Sequence, residues 1–339
     1  MNKLPKISIR LHGGMTPAAC MELAKAADEA GFAGVWFAEN AFARGVMPAA
    51  AACAVATRRL GINAGVFNPF GRHPTMIAME AGSLDELSNG RASVSVGSGI
   101  AAATEKIGFD PAKPLPALRD TLTIVRGLLR GDAVDHSGPA FSAKNVKLDY
   151  TPRPDIPIYL AGRGDLTVKL AGEMADGLLV SNMCSVAFAG RLADLMQARR
   201  QAAGRADGGE VIQYMPCAVH GDVKIAMAAG KRAVGDMLPG FWALGLRISS
   251  AKDALLAGTD ITEAEFAAAA ARLRAGENAI DVLDERYVLA FSLVGAPDDC
   301  LAAAQRYANA GVTELALTFS GPTALDAVSA LGNALAKLV

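Results

Sequence analysis

Several side chains capable of acid–base or electrostatic chemistry follow directly after short apolar runs in the first third of the chain. Glu39 follows the second run, where its carboxyl group could orient a substrate or only bond to neighbouring backbone. His73, after the third run, could act as a general acid or contact a phosphate, or it could simply cap the helix beginning at Pro74. Asn68 and Arg72 lie in the same loop. We therefore treat Glu39, Asn68, Arg72 and His73 as candidate catalytic residues.

Small and polar residues dominate the loops after the fourth, fifth and sixth apolar runs: Ser98 and Gly99, then Gly162, Arg163 and Gly164, then Asn182. Small residues let a ligand approach the backbone and leave N–H groups free to bind an anion. The loop after the fifth run precedes a helix, whose N-terminus adds partial positive charge. It could cradle a phosphate or be an ordinary strand-to-helix turn. We interpret these loops as candidate cofactor-binding segments.

The sequence lacks several common catalytic motifs. There is no GxSxG, HExxH or P-loop pattern, and no lysine lies at the end of a predicted strand, which disfavours a Schiff-base lyase or aldolase. The five cysteines and four histidines are scattered without metal-ligand spacing, so we expect no metal site. An enzyme of this kind often takes its chemistry from a cofactor.

Eight apolar runs alternate with helical patterns and set the frame for these loops. The runs span residues 6–11, 34–38, 60–67, 92–96, 158–161, 177–180, 211–219 and 314–319. Such alternation requires parallel strands joined by right-handed crossovers, which both a closed barrel and an open doubly wound sheet satisfy. The count of eight favours a (β/α)8 barrel of the α/β class, whose active site forms at the carboxyl ends of the strands.

Two segments interrupt the alternation. Residues 131–154, rich in glycine and proline, predict an excursion before the fifth strand in the form of a short hairpin. Residues 222–297 carry helical patterns and predict a long insertion after the seventh strand. We interpret residues 1–339 as one barrel domain with these insertions, because α/β barrels exceed 250 residues as single domains.

The helix before the fourth strand carries a charge cluster that looks attractive as a site. Asp85, Glu86 and Arg91 are predicted to lie at the helix-to-strand end of the barrel, opposite the active-site loops, so we interpret them as structural. Met76 and Met79 of the same helix are interpreted as core packing.

The composition favours a folded enzyme acting on small molecules. Of the 339 residues, 52% are hydrophobic, which argues against disorder. The formal net charge is −1, so there is no excess of positive charge that would indicate binding to nucleic acid or to a membrane surface. No segment reaches the roughly 18 uncharged apolar residues of a membrane span, and the N-terminus predicts a first strand rather than a signal peptide. We expect a cytoplasmic protein.

Six segments together resemble the luciferase-like flavin oxidoreductase superfamily. They are GVFNPFGRHP (65–74), LDELSNGRA (84–92), VGSG (96–99), PIYLAGRG (157–164), LAGEMADG (170–177) and VGAPD (294–298). Within that superfamily they are most similar to the branch of methylenetetrahydromethanopterin reductase and other enzymes that use the deazaflavin coenzyme F-420. The similarity is strongest over residues 7–182.

The resemblance implies a (β/α)8 barrel of the bacterial-luciferase type, usually a homodimer, with coenzyme F-420 or FMN in the barrel mouth. It implies a non-prolyl cis peptide between Gly65 and Val66, ring-pocket roles for Asn68 and Glu39, and phosphate binding at the glycine loops. The sequence departs from the reductases at two places. It has Arg10 where they tend to place a glutamate, and Glu39-Asn40 after the second strand where they tend to have Asp-His.

These observations imply an oxidoreductase that transfers a hydride between coenzyme F-420 or FMN and a small organic substrate. Because the departures lie where a substrate would be met, methanopterin is not carried over as the substrate. Two alternatives stay open: an FMN-dependent two-component monooxygenase of the same superfamily, and a non-catalytic flavin-binding barrel.

Overall fold

The computed structural model describes residues 3–205, 208–319 and 323–338. Its strands are β1 (Lys6–His12), β2 (Gly34–Ala38), β3 (Gly61–Phe67), β4 (Ala92–Val96), β5 (Val134–Ser137), β6 (Ser142–Val146), β7 (Ile158–Ala161), β8 (Gly177–Val180), β9 (Glu210–Val219), β10 (Leu293–Gly295) and β11 (Glu314–Phe319). Eight of them close a parallel barrel in the order β11-β1-β2-β3-β4-β7-β8-β9, with β9 returning to β11. The predicted (β/α)8 barrel is confirmed.

Helices surround the barrel and complete the alternation. They are α1 (Pro17–Glu29), α2 (Val46–Ala56), α3 (Pro74–Leu87), α4 (Ala101–Lys106), α5 (Pro114–Leu129), α6 (Asp165–Met174), α7 (Val186–Ala202), α8 (Val223–Gly245), α9 (Ser249–Leu256), α10 (Glu263–Arg274), α11 (Ala279–Val282), α12 (Glu285–Phe291), α13 (Pro297–Asn309) and α14 (Ala324–Ala336). The segment 131–154 contains the antiparallel β5–β6 hairpin, and the segment 222–297 contains α8–α12 and also β10, an additional strand that pairs with β9.

Alternating residues on each strand divide the outer core from the barrel interior. On β1, Ile9 and Leu11 are fully buried in the main hydrophobic core beneath the surrounding helices. Successive strand side chains point to opposite faces, so Ser8 and Arg10 point into the barrel. The strand pattern therefore decides which side chains a ligand in the mouth can reach.

A polar layer fills the amino-terminal end of the barrel interior. Glu314 is 5% exposed, and its Oε1 accepts hydrogen bonds from the Ser8 hydroxyl and the Trp36 indole N–H. Beside it, Lys6 Nζ lies 2.6 Å from Glu210 Oε1, and the Tyr159 hydroxyl donates to Glu210. Burial raises the pKa of Glu314, although the two donors and Lys6 oppose the shift.

Replacing Glu314 with glutamine is expected to remove a pH dependence of stability. A carboxyl whose pKa is higher in the folded than in the unfolded chain contributes stability that is complete below the ordinary value of 4.5 and lost as the pH rises through the raised value. The free energy of unfolding in urea, measured from about pH 4 to 8, should therefore fall with pH more in the wild type than in Glu314→Gln. Parallel curves would contradict the assignment.

Of the cluster predicted to be structural at the amino-terminal end of β4, Asp85 and Arg91 are confirmed in that role, whereas Glu86 is exposed. Asp85 is 5% exposed and accepts hydrogen bonds from Arg153 Nε (3.0 Å) and Nη2 (2.9 Å) and from the Ala92 N–H (3.2 Å). Arg91 donates to backbone carbonyl oxygens of Ala54, Thr57, Leu60 and Ser88. These contacts join the α2–β3 and α3–β4 connections on the face opposite the mouth.

Two sequence predictions on α3 need correction. Met76 and Met79, predicted as core packing, are each 44% exposed. The buried face of α3 instead consists of Ile77, Ala78 and Ala81. The helix is largely apolar on both faces, so its sequence did not separate core from surface.

Neither a spanning helix nor a metal centre is found in the described ranges. No helix there combines the length and the apolar character needed to cross a membrane. Nor do three or more His, Cys, Asp or Glu side chains in these ranges gather as they would around a metal ion.

Candidate functional site

Small apolar side chains form the floor of the barrel mouth at the carboxyl ends of the strands. Ala38 and Tyr214 belong to a buried interior cluster against which Val66 and Ala161 pack. The Tyr214 hydroxyl spans the interior and donates to the carbonyl of Phe37 at 2.7 Å. The floor is therefore apolar and is tied across the barrel by one tyrosine.

One position in β3 and one after β4 must be glycine, because neighbouring atoms lie too close for a side chain there. A Cβ at Gly65 would lie 2.3 Å from the Ser95 carbonyl oxygen, and one at Gly97 would lie 2.8 Å from Val66 Cγ1. Gly65 has φ +148°, and the peptide bond between Gly65 and Val66 is cis, as the resemblance implied. These contacts place the Val66 side chain against the backbone after β4.

Asn68 lies in the loop after β3, at the rim of the barrel mouth that the loops following the strands form, and three neighbours fix its position. Its Nδ2 donates to Thr104 Oγ1 at 2.9 Å, and its Oδ1 accepts from the Phe70 N–H at 3.1 Å. Gly99 has φ +70°, and a Cβ there would lie 2.5 Å from Asn68 Nδ2. The structure therefore brings the predicted residues Asn68 and Gly99 together, and Thr104 of α4 holds the amide. Ser98, one residue earlier, is half-buried on the same loop.

Glu39 and Arg72 form a charged pair on the neighbouring part of the rim. Arg72 Nη2 lies 3.3 Å from Glu39 Oε1, and Nη1 pairs with Glu80 of α3. The guanidinium carbon lies 4.7 Å from the centroid of the Phe67 ring. Burial raises the pKa of Glu39, while Arg72 opposes the shift. The raised pKa means that this carboxyl releases its proton less readily than an exposed glutamate does, which suits proton transfer.

His73 occupies a different position from the other three candidates. Its Nδ1 accepts from the Thr75 N–H at 3.3 Å, which caps α3, and its ring packs edge-on against Phe141 of the hairpin at 5.6 Å. Burial lowers the pKa of His73. The capping interpretation is therefore confirmed, and a catalytic role for His73 stays a prediction.

The helical segment 222–297 forms a wall over the loops after β7 and β8. The Arg163 guanidinium lies 5.0 Å from the centroid of the Phe241 ring of α8, and its Nη1 is buried without a hydrogen-bond partner. Ser250 Oγ lies 3.9 Å from where a Cβ at Gly164 would stand. Gly162 is also crowded, because a Cβ there would lie 2.5 Å from Thr167 Cγ2. The glycine loop is thus enclosed by α8, α9 and the start of α6.

Asn182 lies in the loop after β8, at the foot of the same wall. It is 7% exposed, and the next residue, Met183, packs in the hydrophobic cluster of Trp242 and Phe266 from α8 and α10. The carbonyl of Cys184 accepts a 2.7 Å hydrogen bond from Gln213 Nε2. Asn182 is therefore held between the barrel and the wall.

Arg10 points into the mouth from β1. Its Nη1 donates to Thr318 Oγ1 at 3.2 Å, and its guanidinium carbon lies 4.8 Å from the Tyr214 ring centroid. The sequence places Arg10 near the carboxyl end of the first predicted strand, where active-site residues are expected, and Arg10 also departs from the family pattern. The alternation of β1 could have identified it as inward-facing, whereas Thr104 and Phe241 could not have been found because their roles depend on long-range packing.

Comparisons with known proteins settle the family. A family model described as luciferase-like monooxygenase matches residues 4–314. The chain belongs to this family. It is 28% identical to a 5,10-methylenetetrahydromethanopterin reductase of Methanolobus tindarius, over 91% of this chain and 93% of the relative. The resemblance stated from the sequence is confirmed, and with it the enzyme class of an oxidoreductase that uses coenzyme F-420 or a flavin.

Solved structures agree on the fold. The coenzyme F-420 dependent tetrahydromethanopterin reductase of Methanopyrus kandleri superposes with a TM-score of 0.81 at 24% identity, covering 97% of this chain and 98% of that one. The FMN-bound oxygenating constituent of 3,6-diketocamphane monooxygenase from Pseudomonas putida gives a TM-score of 0.73 at 16% identity and covers 99% of both chains.

Proposed function

We propose that this protein transfers a hydride between coenzyme F-420 and a small organic substrate bound in the barrel mouth. The observation that carries the proposal is the 28% identity to the methylenetetrahydromethanopterin reductase of Methanolobus tindarius across more than nine-tenths of both chains. The wider family also includes FMN enzymes, so FMN is the competing cofactor. The substrate is not taken from the relatives, because Arg10 and Glu39 line the mouth where it would bind.

The mouth fits a flat tricyclic ring. Val66, Ala161 and Ala38 offer an apolar floor, and Gly97 lets the Val66 and Ala161 side chains approach the backbone after β4. The unpartnered Arg163 Nη1 and the glycine loop at the start of α6 are suited to an anionic cofactor tail. We therefore assign ring contact to Gly65, Val66, Asn68 and Glu39, and tail contact to Ser98, Gly99, Gly162, Arg163, Gly164 and Asn182.

When bound, the deazaflavin supplies two-electron hydride chemistry, whereas a reduced flavin also reacts with oxygen. The chain's own contribution is positional and electrostatic. Asn68, held by Thr104, presents its amide at the rim, and the wall of α8 and α9 excludes water from one side. The Glu39 carboxyl holds or releases a proton, and Arg72 keeps that carboxyl at the rim by donating a hydrogen bond to it in an ion pair.

Alanine variants at the four candidate positions test the assignment. If Glu39, Asn68, Arg72 and His73 serve the mouth, the four substitutions together should weaken cofactor binding and reduce turnover by at least about 100-fold, the scale of one lost acid–base or electrostatic function. Ligand fluorescence measures cofactor binding, and the rate at which the reduced cofactor is oxidised measures turnover. Thr75→Ala is the control for the helix cap, because it removes the hydroxyl 2.9 Å from His73 Nδ1 and leaves Glu39, Asn68 and Arg72 unchanged.

The test separates the alternatives by oxygen and by turnover. Reduced cofactor consumed without oxygen uptake supports hydride transfer, whereas stoichiometric oxygen uptake with FMN would favour a monooxygenase. Cofactor binding without turnover against a broad substrate panel would favour a binding protein. Unchanged affinity and turnover in the fourfold variant would overturn the residue assignment.

We also propose a cytoplasmic homodimer. Met76, Met79 and Leu87 follow helical spacing on one face of α3 and are 44%, 44% and 45% exposed, an apolar surface of the kind that marks protein contacts. The five cysteines are buried and unbridged, which supports a reducing compartment.

Replacing Met79 with glutamate is expected to weaken this dimer, because a carboxylate in an apolar contact loses its hydration. Light scattering after gel filtration should give a dimer mass for the wild type and a lower mass for the variant at micromolar concentration. Leu166→Glu on α6, at a position that is 65% exposed, is the matched control and should stay dimeric. A monomeric wild type would contradict the dimer.

A further inference from the structure

Arg10 is an arginine inside the barrel that lacks a counter-charge. Its strand neighbours Ile9 and Leu11 are buried against the surrounding helices, so the Arg10 side chain points to the interior. Within the described part of the chain, no carboxylate forms an ion pair with it. By contrast, Arg72 and Arg153 each form ion pairs with two carboxylates.

The donors of Arg10 are far from satisfied. A guanidinium has five N–H donors. Nη1 donates to the Thr318 hydroxyl at 3.2 Å, the plane packs near the Tyr214 ring, and Nε is buried without a partner. The nearest titratable groups on adjoining positions are Tyr214 and His12; burial, with a smaller contribution from Arg10, lowers the pKa of His12. Neither of these two groups supplies a carboxylate to pair with Arg10.

A ligand can reach this guanidinium. Part of the Arg10 side chain remains exposed even though Nε is buried. Its partner Thr318 lines a cavity of about 380 Å3 at the carboxyl ends of β9 and β11, whose lining also includes His220, Arg232 and Asp236. The cavity is large enough for a small organic molecule. Arg10 does not line this cavity itself, and Thr318, which accepts its 3.2 Å hydrogen bond, lies between the two.

We infer that Arg10 anchors a carboxylate, or another negatively charged oxygen group, of the substrate. The inference rests on the proposed function for its reaction, but the anion site itself rests on the contacts above. A buried charge without a partner is costly, and a substrate carboxylate would remove that cost by forming a charge-assisted, bidentate pair. Arg10 thereby selects acids over their neutral counterparts.

Ligand-induced thermal stabilisation tests the inference without relying on turnover. The protein, with and without bound coenzyme F-420, is heated in the presence of formate, acetate or benzoate, and of formamide, acetamide or benzamide, at constant ionic strength. At least one carboxylate should raise Tm while its amide does not. Arg10→Met should lose this response, Arg10→Lys should retain a weaker one, and Arg10→Met without ligand should unfold at the wild-type temperature or above it. Arg191→Met, at an exposed position on α7, should respond as the wild type does.

Other outcomes overturn the inference. Equal stabilisation by acids and amides, a response that survives in Arg10→Met, or no response to any of the three acids would show that Arg10 holds no substrate anion. A tenfold loss of coenzyme F-420 affinity in Arg10→Met with an unchanged carboxylate response would assign the guanidinium to the cofactor instead. If the wild type binds neither coenzyme F-420 nor FMN but shows an Arg10-dependent carboxylate response, the proposed function fails and the anion site stands.

Discussion

Replacing Gly99 with alanine is expected to weaken binding of the cofactor at least tenfold. Gly99 adopts φ +70°, a left-handed conformation that costs a residue with a Cβ about 1–2 kcal/mol. The added Cβ would also lie 2.5 Å from Asn68 Nδ2, so either the loop or the amide must move. Because Asn68 Nδ2 donates to Thr104, the substitution disturbs both predicted contacts of the ring and the tail. A loss of 1.4 kcal/mol already corresponds to about tenfold in affinity.

Gly131→Ala is the matched control for this substitution. Gly131 has φ +82°, and no atom lies within 4 Å of a Cβ placed there. Both variants therefore pay a similar backbone penalty, but only Gly99→Ala changes the mouth. Fluorescence titration with coenzyme F-420 and with FMN should show weakened binding in Gly99→Ala alone. Wild-type affinity in Gly99→Ala, or an equal loss in Gly131→Ala, would remove the loop after β4 from the cofactor site.

Replacing Asp85 with alanine is expected to lower the free energy of unfolding by about 3 kcal/mol, the scale for removing one partner of a buried ion pair. Asp85 accepts three hydrogen bonds, two of them from Arg153 and one from the backbone of Ala92. Its loss leaves Arg153 with the exposed Asp155 as its remaining carboxylate partner. The cost falls on stability rather than on the cofactor, because Asp85 lies at the amino-terminal end of the barrel.

Urea unfolding measures this loss, and Asp132→Ala is its control. Asp132 pairs with Arg130 on the surface, with side-chain exposures of 54% and 58%, where an ion pair contributes less than about 1 kcal/mol. A loss in Asp85→Ala no larger than in Asp132→Ala would contradict the structural role of the cluster. So would a specific loss of cofactor affinity in protein that remains folded.

The sequence predicted the eight barrel strands because each is an apolar run with glycine, proline or polar residues at its ends. Their edges shifted by one residue in β1, β3 and β9. Two short elements were not predicted. β10 has three residues and exists by pairing with β9, and α4 has six residues without a side-chain cap. Elements of that length carry too little periodicity to distinguish them from loops.

The sequence could predict those parts of the candidate site that depend on which strand residues face the interior and which loops follow the strands. The pairing of Glu39 with Arg72 joins two loops already identified, whereas the contact of Arg72 with Glu80 depends on how α3 packs. Likewise, the phosphate-loop interpretation of Arg163 could not foresee its contact with Phe241, because Phe241 lies 78 residues further along the chain. Local patterns located the rim, and tertiary packing determined which donors remain free.

Parallel titration of the purified apoprotein with coenzyme F-420 and with FMN, monitored by the fluorescence of each ligand, decides which cofactor the barrel mouth binds. The proposed hydride transfer predicts tight binding of coenzyme F-420 and little affinity for FMN. Preference for FMN would contradict that prediction and favour a two-component monooxygenase, and binding of neither ligand would contradict a cofactor site in the barrel mouth.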